Sequence, residues 1–300
     1  MGESIPPLDP ITGALLVGTW LNSLLYSIEL LQMFSYFRSF PSDDSRIKVL
    51  VVVAFALDTT AGLSNYTAVY LYTIRHAGDV AYLRVQIWTF PVLAISTGLV
   101  AVLVQSFLTF RFWRFTHNTP LTIVLFLLIG TTLGACFAAG IYTVLFPNYA
   151  DRHKSMIPVR AWLISQAATD LLIASALLWE LHRWSSPNAF DRTRSLLHRL
   201  MMHTLTTGGA SALVAVACLI AFSIDQENNI ALSIAYSLGR VYMLTMLANL
   251  NLRKSLNEIL AVQDLITIPH APRAPSQTQT AGIVRQLEEE VDWNDARTKI

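Results

Sequence analysis

The chain has 300 residues, 53% of them hydrophobic and 14% charged, with a formal net charge of +1. A soluble domain carries about 25% charged residues, so the composition points to a chain mostly buried in lipid, and near-neutrality removes any general electrostatic case for nucleic-acid binding. The two cysteines, Cys136 and Cys218, lie inside apolar stretches and are expected as reduced core thiols, which excludes a disulfide scaffold.

Met1 to Pro10 has no basic segment followed by a short apolar run and a small-residue cleavage site, so no cleaved signal is expected, and residues 1–10 read as a short extracellular segment. A bilayer-crossing helix needs about 20 apolar residues. Seven stretches satisfy that length: Ile11–Phe34, Ile47–Tyr72, Val85–Phe110, Leu121–Phe146, Val159–His182, Thr204–Ile224 and Ile230–Leu250. Pro120 and Pro158 are expected at helix entrances, where a missing N–H matters least, whereas Pro91 is expected to kink the third span. Trp88, Trp162 and Trp184 are expected as interfacial anchors.

Basic residues set the orientation. One set of flanks holds Arg38, Arg46, Lys48, Arg111, Arg114, Arg183, Arg192, Arg194, Arg199, Arg253 and Lys254. The opposite set holds Arg75, Arg84, Arg152, Lys154 and Arg160. The richer set belongs in the cytoplasm. The expectation is an all-α, seven-transmembrane helix bundle over residues 11–250, with the N-terminus outside and the C-terminus cytoplasmic. Beyond it, Leu252, Leu256, Ile259 and Leu260 recur at helical spacing, so residues 251–263 read as a cytoplasmic amphipathic helix. Residues 264–300, rich in Pro, Ser, Thr and Gln at their start, read as a flexible cytoplasmic tail.

Three ionisable residues fall about halfway along their spans: Asp58 in the second, Asp170 in the fifth and Arg240 in the seventh. An isolated charge at that depth costs about 2.5 kcal/mol or more, and one guanidinium is able to serve two carboxylates. An Asp58–Arg240–Asp170 cluster is therefore expected. Helical spacing adds Asn65 to the face of Asp58, Gln166 to that of Asp170 and Tyr236 to that of Arg240. Asn22, Tyr26 and Glu29 form a separate stripe in the first span, and Glu29 and Glu180 are expected near the interface. The central seam reads equally as a ligand or ion site and as a device fixing helix register.

Other chemistries lack their residues. The lysines are Lys48, Lys154, Lys254 and Lys299, none in the seventh span, so a retinal Schiff base is excluded. Histidines 182, 198 and 203 fall at span ends, and neither a metal site nor a cofactor is expected. No nucleophile constellation or phosphate loop occurs, so no enzymatic activity is expected.

A series of motifs runs through the spans: Gly18 through Tyr26 with Gln32; Phe40-Pro41-x-Asp43 with Lys48; Leu57-Asp58-Thr59 with Tyr70 and Tyr72; and Gln105-Ser106-Phe107 with Arg111, Trp113 and Arg114. It continues through Thr169-Asp170-Leu171-Leu172-Ile173-Ala174-Ser175, the Thr207-Gly208 step, Val241-Tyr242 and Leu250-Asn251-x-Arg253. In this series the chain resembles a family of fungal, mushroom-type multi-spanning membrane proteins defined by a domain of unknown function. The resemblance covers residues 8 to 256, and the defining domain is expected over the third to seventh spans. It implies an integral membrane protein and supplies no activity. The run Tyr242-Met-Leu-Thr-Met-Leu departs from the family's pattern, as does Arg240, so the Asp58–Arg240 pairing is expected to be particular to this member.

Topology, a basic loop between the fifth and sixth spans and the tail favour a receptor-like or sensory protein. The alternatives are a proton- or ion-coupled carrier, or a membrane scaffold acting through its tail. The expected partners are the lipid bilayer, a small ligand and a cytoplasmic protein bound by the tail, with the plasma membrane as location.

Overall fold

A computed structural model of the protein describes residues 12–83, 85–148, 152–184, 192–224 and 229–267. The expected N-terminal segment 1–10 and most of the expected tail lie outside the described residues. The elements are α1 (Ala14–Ser39), α2 (Ser45–Tyr70), a π-helical turn (Leu71–Arg75), the short α3 (Val80–Leu83), α4 (Thr89–Thr116), α5 (Thr119–Leu145), α6 (Arg152–Trp184), α7 (Arg192–Ile224) and α8 (Ile230–Thr267). Among the described residues six helices are long and apolar enough to cross a bilayer, in α1, α2, α4, α5, α6 and α8; α7 contributes a shorter apolar segment, Gly208–Ile224. The described residues up to Arg253 and those from Lys254 onward fall into two separate units. The α8 backbone is helical without a break from Ile230 to Thr267.

The helix ends follow local chemistry. Asp44 caps α2 by accepting from the Arg46 N–H, and Asn118 caps α5 by accepting from the Leu121 N–H. Pro120 lies in the first turn of α5, as the sequence predicts. The other two prolines exchange roles. Because α4 starts at Thr89, Pro91 lies in its first turn, where its missing N–H breaks no intrahelical bond. Pro158 lies inside α6, since that helix starts at Arg152. At the same end of the bundle, Gln86 N–H donates to Pro147 O at 2.7 Å, and Val85 bridges Asn148.

The burial pattern is that of lipid solvation. Trp20, Leu24, Leu31, Phe34, Leu127, Ile157 and Leu213 are each more than half exposed, while Asn22, Glu29, Asp58, Gln105, Gln166, Asp170, Arg240 and Asn249 are buried. Water would favour the reverse. In hydrocarbon the apolar faces are solvated and the polar groups must find partners inside. Exposed hydroxyls obey the same rule locally: Thr60, Thr67 and Ser175 each donate to the carbonyl four residues earlier.

The core forms around α8. Its Leu238, Tyr242, Met243, Met246, Leu247 and Leu250 pack with Val100, Val104 and Phe112 of α4, Ile173 and Leu177 of α6, and Tyr36, Val51 and Ala54 of α1 and α2. A second cluster joins Cys136 and Ala139 of α5, Trp162 and Leu163 of α6, Cys218 and Phe222 of α7, and Ala231. Both cysteines are buried free thiols, as expected. Trp162 is buried in this cluster and is no interfacial anchor, while Trp88 is exposed; the Trp184 side chain lies outside the described residues.

Candidate functional site

Arg240 stands at the centre of the larger polar group. Its Nη1 donates to Glu29 Oε2 at 3.0 Å and to Asp58 Oδ2, and its Nε donates to Asn22 Oδ1 at 2.9 Å. The guanidinium carbon lies 4.2 Å from the centre of the Tyr26 ring, adding a cation–π contact. Arg240, Glu29, Asp58 and Asn22 are all at most 2% exposed. The spacing of Asn22, Tyr26 and Glu29 puts all three on one face of α1, turned toward Arg240. Glycines make the room. A Cβ at Gly62 would collide with Arg240 Nη2, and one at Gly239 would meet Asp58 Oδ1. At Gly18 a Cβ would strike the Ser233 backbone, so α1 and α8 approach closely beside the charges.

The expected Asp58–Arg240–Asp170 cluster is therefore corrected. Asp58 and Arg240 pair as predicted, but the second carboxylate is Glu29 of α1, and Glu29 is fully buried instead of interfacial. Glu180 is buried as well. With both carboxylates ionised, the Arg240 group carries one surplus negative charge, which one proton on the pair cancels.

Asp170 belongs to a second group on another side of α8. It accepts from Gln105 Nε2 at 2.8 Å and from the Tyr242 hydroxyl, and Gln166 Nε2 donates to the Tyr242 oxygen at 3.0 Å. Arg240 and Tyr242 are two residues apart, hence about 200° apart around the helix. That divergence assigns Asp58 and Asp170, alike in depth, to different partners. Asn65 is buried, and neither end of its amide has a hydrogen-bond partner among the described residues. Tyr236 is buried in an apolar cluster with Leu15, Ala61, Ala68 and Phe90. Asn65 makes no hydrogen bond to Arg240 among the described residues.

Three further features escaped sequence reasoning. At one end of the bundle, Asp43 accepts from Arg253 Nη1 and Nη2 at 3.2 and 2.6 Å and from the Tyr36 hydroxyl at 2.9 Å. The Arg253 hydrogen bond is the largest influence holding the Asp43 carboxyl below its ordinary value of 3.8. Nearby, Asn249 Oδ1 accepts from Thr204 Oγ1 at 2.5 Å and from Arg111 Nη1 at 3.1 Å. Toward the opposite end a cavity of about 100 Å³ opens among α4 to α8. Phe90, Trp162, Phe222, Leu232 and Ala235 make its walls mostly apolar, and Gln86, Thr143, Ser155 and Asn229 give it polar points. Among the described residues no three His, Cys, Asp or Glu side chains converge to hold a metal ion.

A family model described as a family of unknown function (DUF6534) matches residues 166–255. The match begins at Gln166 within α6, a shorter extent than the third-to-seventh-span domain expected from the sequence. It contains Asp170, Arg240, Tyr242 and Asn249, whereas Asn22, Glu29, Asp58 and Gln105 lie outside it. No curated protein and no solved structure matches the chain. The chain is an integral membrane protein with a domain of unknown function.

Proposed function

We propose that the protein is a receptor-like membrane protein with seven spans, its N-terminus outside and its C-terminus cytoplasmic, and that it binds a small, largely apolar ligand in the cavity among α4 to α8. The carrying observation is that cavity, whose wall includes Leu232 and Ala235 of the helix that also bears Arg240 and Tyr242. A ligand pressing on α8 from this side biases the packing of the helix against its other neighbours, provided it binds two arrangements unequally. The motif series over residues 8 to 256 supports treating the bundle as one unit related to the fungal multi-spanning family; the plasma membrane is proposed as its location because no retention signal is recognised in the sequence. A cytoplasmic partner bound by the tail completes this reading.

Cys218 lines the cavity and makes it testable. In nanodiscs, a Cys136→Ala variant retains Cys218 as its one thiol. Methyl methanethiosulfonate is expected to label Cys218, straight-chain alcohols of graded length to slow that labelling, and Ala235→Phe to slow it by filling the space. Labelling indifferent both to every alcohol and to Ala235→Phe would discard the reading.

A second reading, an ion- or proton-coupled carrier, is favoured by the surplus carboxyl at Arg240. It predicts solute-driven proton flux in liposomes that disappears in Asp58→Asn, whereas the receptor reading predicts no flux in either protein.

A further inference from the structure

We propose that the Asp170 group binds a monovalent alkali cation, with sodium as the fitting ion. This inference is independent of the cavity ligand. Asp170 is buried at 6% exposure, and the groups acting on its carboxyl, Gln105 and Tyr242, are both neutral. The hydrogen bonds have a direction. Gln166 Nε2 donates to the Tyr242 oxygen, so the Tyr242 proton points at Asp170 Oδ2, while Gln105 Nε2 donates to Oδ1. Both carboxyl oxygens thus act as acceptors, which is the arrangement that suits the ionised form. Once ionised, Asp170 faces only neutral donors, at a depth where charge is costly unless compensated, and a cation beside it supplies that compensation.

The second observation is independent of the charge. Gln105 and Gln166 are fully buried, and the carbonyl oxygen of each amide has no hydrogen-bond partner among the described residues. Each amide has its nitrogen committed to the Asp170–Tyr242 pair, so the two idle oxygens belong to the same group of side chains. A buried acceptor without a donor is costly, and a cation satisfies it as well as a donor does. The set is then a carboxylate, two amide carbonyls and a phenol oxygen, all hard ligands. One negative charge balances a monovalent ion, whereas calcium takes six to eight oxygens and usually several carboxylates.

The test is thermal unfolding of the full chain in nanodiscs, in sodium, potassium or choline chloride at equal ionic strength. The expected result is a saturable rise in Tm in sodium over choline, smaller in potassium, that is absent in Asp170→Asn. Gln105→Leu and Gln166→Leu keep the carboxylate and remove one oxygen each. Each is expected to shift half-saturation roughly tenfold toward higher sodium, and these two variants decide the matter if Asp170→Asn does not fold. Equal Tm in sodium, potassium and choline at every concentration overturns the proposal. So does a sodium increment that survives with unchanged half-saturation in both glutamine variants, or a Tm that follows pH alone.

Discussion

Arg240 shows how far a single residue was readable. Its depth and need for carboxylate partners follow from the sequence, and Asp58 is the partner the argument selects. Glu29 was hidden because position along a span says nothing about which helix stands opposite; its Asn22–Tyr26–Glu29 stripe was visible as a face without a neighbour. Asp170 misled for the complementary reason, since equal depth does not imply equal azimuth, and Tyr242 stands on the far side of α8 from Arg240. Gln105 and Tyr242 were legible as motif members but not as partners of Asp170. At the bundle end, the Asp43–Arg253 pair yields a pH prediction. Because folding lowers the Asp43 pKa, its contribution is complete above the ordinary carboxyl value of 3.8 and is lost as pH falls through the lower folded value. Asp43→Asn is expected to cost about 1 kcal/mol near neutrality, a modest figure because Arg253 is 32% exposed and water screens the pair. The Tm difference between wild type and variant should therefore be constant from neutrality to near pH 5 and shrink at lower pH; a difference that grows on acidification contradicts the assignment.

At the level of elements, the apolar stretches were legible because hydrocarbon demands length and hydrophobicity, and the helix ends less so. Pro91 and Pro158 exchanged roles through a few residues' error in where α4 and α6 begin, which turns a first-turn proline into an interior one. The glycines of α2 and α5 carry the stronger prediction. Gly62→Ala drives a methyl into the Arg240 guanidinium, and overpacking of this kind costs about 1–3 kcal/mol. Gly134→Ala in α5 meets nothing within 4 Å and is expected to gain up to about 1 kcal/mol through helix propensity. Unfolding of the two variants side by side checks this. Equal effects would mean that Arg240 does not lie against α2. The close passage at Gly18 and Ser233 similarly explains why α1, whose outer face is so strongly apolar, is held to α8 beside its polar stripe.

For the whole molecule, an apolar exterior around a polar interior was foreseeable from composition, but the division of that interior was not. α8 takes part in two buried polar groups facing different neighbours: Arg240 ties it to α1 and α2, and Tyr242 ties it to α4 and α6 through Gln105, Asp170 and Gln166. The orientation set by basic flanks predicts that, with both native cysteines replaced by alanine, Ala77→Cys reacts with an impermeant maleimide on intact cells and Ser42→Cys reacts only after permeabilisation; the reverse pattern inverts the bundle. The division of charge is tested most directly by thermal unfolding of Glu29→Gln, Asp58→Asn and the double variant, with Asp170→Asn combined with each. Either single change leaves Arg240 one carboxylate and is expected to cost about 1 kcal/mol, whereas the double strands a buried guanidinium and is expected to cost about 3–5 kcal/mol. Asp170→Asn is expected to add to each within about 0.5 kcal/mol. Additivity of Glu29 with Asp58, or strong coupling of Asp170 to Asp58, would contradict the two-sided arrangement.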